Sequence, residues 1–126
     1  MSSINNNVVV LRDEDGDKAS ITNGQVHVNV KNIVPSGCTS GINNDIDTSP
    51  EQLIATNSCI RIDMQADYAN TGDVFIGDAT VANDGTGGGI RLEPGDFYSV
   101  EIVATSRIYA VATVANQKVM WSYFTE

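Results

Sequence analysis

The chain has 126 residues, 41% of them hydrophobic, which suits one domain or a small domain with an arm and excludes a fully disordered tail. Seven Lys+Arg against 16 Asp+Glu give a formal net charge of −9. That balance argues against nucleic-acid partners and against docking on an anionic membrane, since both need cations facing phosphate.

Helical periodicity is nearly absent, and alternation with a period of two recurs instead. Residues 1–34 read as an N-terminal segment with strands near 7–11, 18–22 and 25–31. Val26, Val28 and Val30 alternate there with His27, Asn29 and Lys31. Asn23-Gly24 tolerates positive φ at both positions and predicts a two-residue hairpin turn. A hairpin alone is marginal in water. This segment is therefore expected to join the main sheet or to pack on another chain as an arm.

Residues 35–50, rich in Ser, Gly, Asn and Asp, read as a polar linker or long loop. Ser49-Pro50-Glu51-Gln52 matches a helix capping box. It predicts at most one short turn of helix, in competition with a lead-in strand through Gln52-Leu53-Ile54.

Residues 51–126 carry six or seven strands spaced by turns. Ile60, Ile62 and Met64 alternate with Arg61, Asp63 and Gln65. Tyr98, Val100 and Ile102 share a face, and Val119, Trp121 and Tyr123 share another. Ile108 to Val114 is apolar on both faces, which predicts a central strand or an interface strand. Asn70-Thr71-Gly72-Asp73 and Glu93-Pro94-Gly95-Asp96 read as turns, and Gly85 to Gly89 as a flexible tip loop with too few side chains to pack. The expected fold class is all-β: an antiparallel sandwich or jelly-roll-like core over 51–126, a loop over 35–50, and an N-terminal hairpin or extended arm over 1–34.

The sequence offers little catalytic chemistry. His27, the only histidine, lies on the polar side of its strand, with no Gly-x-Ser-x-Gly elsewhere to supply a nucleophile. Asp13-Glu14-Asp15-Gly16-Asp17 is an oxygen-rich cluster of the kind calcium favours. Counted from Asp13, however, the position where a calcium loop needs a bidentate Glu is Gly24, so a polar turn explains the cluster without a metal. A glycosidase would need two facing carboxyls about 5–10 Å apart, which sequence does not reveal. The run at 85–89 lacks the Gly-Lys-Ser/Thr ending of a phosphate loop. No catalytic, metal-binding or cofactor-binding residue is assigned.

Cys38 and Cys59 read as two free thiols, with a single disulfide as the other possibility. Among the late aromatics, Trp121 reads as core, and Phe124, on the opposite face, as the better interface candidate. No apolar run approaches the roughly 18 residues of a membrane span, and the first residues lack the pattern of a signal peptide. A soluble protein made in the cytosol is expected.

Several motifs occur in a suggestive order. Cys59-Ile60-Arg61-Ile62-Asp63-Met64-Gln65-Ala66 is followed by Asn70-Thr71-Gly72-Asp73-Val74-Phe75-Ile76-Gly77. Then come Gly89-Ile90-Arg91-Leu92-Glu93-Pro94-Gly95 and Arg107-Ile108-Tyr109-Ala110, and last a strand of alternating aromatics. Over residues 52–125 this order resembles a recurrent virion module of tailed bacteriophages. The opening, Val8-Val9-Val10-Leu11-Arg12-Asp13 through Ile21-Thr22-Asn23-Gly24-Gln25-Val26-His27-Val28-Asn29-Val30, resembles phage openings of the same kind.

The resemblance implies a non-enzymatic all-β structural protein of the virion, assembled in the host cytoplasm. Its first candidate role is a capsid decoration or cement protein on the outer capsid surface, partnered by the major capsid protein or other virion proteins and by copies of itself, with a homotrimer favoured. A tail- or fibre-associated protein, or a host-glycan adhesion module, is the alternative. The resemblance carries over no catalytic residue and no cofactor.

Overall fold

A computed structural model describes residues 20–22, 25–27 and 34–126. The chain divides into two compact units, Met1–Asn32 and Ile33–Glu126. In the first, β1 (Ser20–Thr22) and β2 (Gln25–His27) pair antiparallel, with Thr22 opposite Gln25 and Ser20 opposite His27. This register leaves two residues between the strands, as the Asn23-Gly24 signal predicts. The Asn23-Gly24 turn itself, the strand expected near 7–11, the continuation past His27, the side chain of His27 and the Asp13–Asp17 cluster lie outside the described residues.

The second unit contains eight strands in two antiparallel sheets. They are β3 (Gly37–Ile46), β4 (Glu51–Gln52), β5 (Arg61–Ala66), β6 (Val74–Gly77), β7 (Ile90–Leu92), β8 (Phe97–Val100), β9 (Tyr109–Ala112) and β10 (Gln117–Thr125). One sheet has the order β3-β10-β5-β8 and the other β4-β9-β6-β7. Every connection except β6–β7 crosses between the sheets. Taken from the first sandwich strand to the eighth, this is the strand order of a jelly roll, in which two Greek keys wrap around one core. The all-β expectation therefore holds.

The alternation seen in the sequence becomes the sandwich interior. Ile62, Met64 and Ala66 of β5 and Val119 and Tyr123 of β10 line one inner face. Val74 and Ile76 of β6, Ala110 and Ala112 of β9, and Leu92 of β7 line the other. Each fully buried Val, Leu, Ile or Met contributes about 1.5–3 kcal/mol. β9 runs between β4 and β6, and Val111, on its other face, is also fully buried. That is the central position its doubly apolar sequence predicts.

One local reading needs correction, and one open choice is resolved. Residues 35–50 are not a linker loop, because Gly37–Ile46 forms the ten-residue edge strand β3. Its register on β10 runs without a break from Gly37↔Thr125 to Asn43↔Val119. An edge strand exposed on much of its surface needs backbone pairing more than apolar alternation, so Gly, Ser, Thr and Asn suffice. Ser49-Pro50-Glu51-Gln52 starts no helix; Glu51 and Gln52 pair with Ala110 and Tyr109 as β4, in line with the lead-in strand.

The glycine run at 85–89 is mostly exposed, in keeping with a tip loop. Val81, just before it, is buried, and a Cβ added at Gly77 or Gly89 would press on that valine. Gly85, Gly88 and Gly89 have φ of 79°, 76° and 91°, the left-handed region that lets the loop fold back so tightly.

Side chains tie the loops together at each rim. At one rim, Asn70 stands in for a strand residue, accepting from the Lys118 N–H at 2.8 Å and donating to its carbonyl at 2.9 Å. Beside it the buried Gln117 carboxamide accepts from the Thr71 and Gly72 N–H groups, both at 2.9 Å. At the opposite rim the buried Thr105 hydroxyl accepts from Asn57 N–H and donates to Ala55 O, both at 2.8 Å.

Candidate functional site

The β3-β10-β5-β8 sheet turns one face inward and the other to solvent. The register sorts its outward side chains into rows that cross the strands. Ile42, Met120, Gln65 and Phe97 form the first row. Ser40, Ser122, Asp63 and Ser99 form the second, and Cys38, Phe124 and Arg61 the third.

The first row is mostly apolar and open. Phe97 is 61% exposed, Ile42 46% and Met120 37%. The second row is a hydroxyl–carboxylate ladder. Ser40 and Ser122 hydroxyls lie 2.6 Å apart, and Ser99 donates to Asp63 at 2.5 Å. In the third row the Arg61 guanidinium sits 4.2 Å from the centre of the Phe124 ring, a cation–π contact, while its Nε lies 3.3 Å from Asp63. Such ordering costs side-chain entropy and yields a relief of fixed groups.

The sequence-predicted residues fall on both sides of this sheet. Phe124 is on the outer face, opposite to Trp121 as the alternation predicts, and half-buried under Arg61. Trp121 faces inward, stacked on Tyr123 with ring centres 5.8 Å apart and packed against the core. Cys38 and Cys59 are both free thiols. Cys38 is exposed on the outer face, whereas Cys59 is buried and donates to Ile102 O at 3.2 Å. Burial pushes the Cys59 thiol pKa up.

Sequence reasoning missed Ile42 and Phe97 as exposed positions. Ile42 lay in the supposed linker. Phe97 precedes the alternating Tyr98–Val100–Ile102 face, and the alternation that turns Tyr98 inward was the available signal that Phe97 points out.

The rest of the described surface offers little chemistry. Among the described residues no group of three His, Cys, Asp or Glu could hold a metal ion. Burial raises the Glu51 pKa, helped by the charges of Asp47 and Asp45 and opposed by a hydrogen bond from Asn43. Those two acids come from the same short stretch of chain, not from an opposing wall. A depression between Asp67, Asn70, Thr71, Asn116 and Lys118 holds about 100 Å³, below the roughly 300–1,000 Å³ of ligand pockets.

The described fold is thus an acidic, jelly-roll-like sandwich that presents one sheet face to solvent. No protein-family model, curated protein or solved structure matches the chain.

Proposed function

We propose that this chain is a non-enzymatic structural protein of a tailed-phage particle, a decoration or cement protein that binds the outer capsid surface and stabilises the head. The observation that carries the reading is the solvent-facing sheet with its exposed Ile42–Met120–Phe97 row beside an ordered polar row. Apolar side chains exposed on a hydrogen-bonded sheet suit adhesion to another protein surface. The net charge of −9 suits the outside of a particle better than its DNA-facing inside, and keeps an abundant protein soluble before assembly. The order of sequence motifs adds to this reading.

A second reading, a tail- or fibre-associated protein or a glycan-adhesion module, draws on two exposed aromatics, Phe97 and Tyr68, the latter 84% exposed. Copy number on purified particles of the encoding virus, with and without the gene, tests both. Hundreds of copies per particle, and DNA release at lower temperature when the gene is deleted, are the results expected of a cement protein. A few copies confined to the tail would favour the second reading. Absence from the particle would overturn both.

A further inference from the structure

We propose that the open edge of β3 pairs antiparallel with β3 of a second copy of this chain, about a two-fold axis. This inference does not depend on the capsid reading. Among the described strands β3 is paired on one side only, by β10. It is ten residues long and carries none of the devices that blunt an edge over most of its length. It contains no Pro and no Lys, and its first charge is Asp45. No bulge interrupts it between Gly37 and Asn43. Cys38, Thr39, Ser40, Ile42 and Asn44 are all exposed.

The charge distribution selects the occupant. Two copies at −9 each repel wherever carboxylates meet, so self-association requires an uncharged contact. Gly37 to Asn44 carries no charge. The other three edges of the two sandwich sheets are short and charged. β8 has four residues between Asp96 and Glu101, β7 has three including Arg91 and followed by Glu93, and β4 has two, beginning with Glu51. An antiparallel strand is also its own complement under a two-fold rotation, so one edge suffices for both partners. The result is a continuous eight-stranded sheet in which the two Ile42–Met120 surfaces adjoin. It replaces, as the basic unit, the trimer that the phage resemblance favours.

The test uses the full chain in a sedimentation concentration series combined with amide hydrogen exchange. The unmodified chain is expected to reach twice 13.4 kDa, with protection of β3 amides that rises with concentration. Ile42→Glu with Asn44→Glu places new like charges on the edge and is expected to return the mass to one chain, with a native far-ultraviolet spectrum. Phe97→Glu adds charge to the same face at the opposite edge and is expected to leave the pair intact. A single-chain mass throughout, a three-chain mass, or β3 protection independent of concentration would each overturn the proposal. So would dissociation by Phe97→Glu but not by the edge variant.

Discussion

Replacing Thr105 by Val tests how the two loops at one rim are held. The side chain is fully buried, and valine keeps its shape while removing the hydroxyl. The substitution withdraws the acceptor of the Asn57 N–H bond and one donor to the Ala55 carbonyl. The Ala55 carbonyl keeps a donor in Asn57 Nδ2 at 3.0 Å, so the damage falls on the Asn57 N–H. Asn57 itself is exposed and its bond to Thr105 part-buried, so water replaces part of what is lost and the cost falls at the lower end of about 1–3 kcal/mol, about 1 kcal/mol. For a folded unit spanning Ile33–Glu126, each kcal/mol lowers Tm by about 4–8 °C, so a fall of that size is expected. Thr105→Ser keeps the hydroxyl and gives up one methyl, at about 0.8 kcal/mol, so its fall should be similar in size but of apolar origin. Thermal unfolding followed by near-ultraviolet circular dichroism reads both variants. A valine variant as stable as the parent would refute the argument.

Three further outcomes are expected. Glu51 has its folded pKa raised above the ordinary 4.5, mainly by burial, so its ionisation opposes folding above that pKa and the penalty vanishes below the unfolded value. Glu51→Gln should therefore raise denaturant stability at neutral pH, with the gain lost as pH falls below about 4.5; equal gains at pH 7 and pH 4 would contradict this. In a thiol-reagent titration Cys38 should react in the native protein and Cys59 only on unfolding, because one is exposed and the other buried and hydrogen-bonded. Simultaneous reaction of both would place Cys59 elsewhere. A Cβ at Gly41 would collide with the Trp121 indole, so Gly41→Ala should cost about 1–3 kcal/mol and shift the tryptophan emission, whereas unchanged emission would separate the two residues.

Much of the sandwich was legible because burial imposes a period of two. β5 and β10 pack one face each, and their alternating Ile62–Met64 and Val119–Tyr123 positions are those found in the core. β9 was legible as a central strand because both its faces are apolar. β3 was not legible, since its stability comes from main-chain pairing with β10, to which Gly37, Ser40 and Asn43 contribute regardless of side chain. Ser49 to Gln52 was undecided for a related reason: a helix cap and the start of a strand use the same local residues, and only the pairing of Glu51 to Ala110 decides. The outer-face rows depend on registers between strands far apart in sequence, so single residues such as Phe124 were visible while the surface they compose was not.

The register of β3 on β10 also governs the order in which this molecule can form. Ser40 and Ser122 touch although they lie 82 positions apart in the chain, so the first strand of the sandwich leaves the ribosome long before its described partner exists. Such long-range closure is slow, on the order of milliseconds to seconds. Throughout that wait a strand uncharged from Gly37 to Asn44 is open to its neighbours on the same polysome.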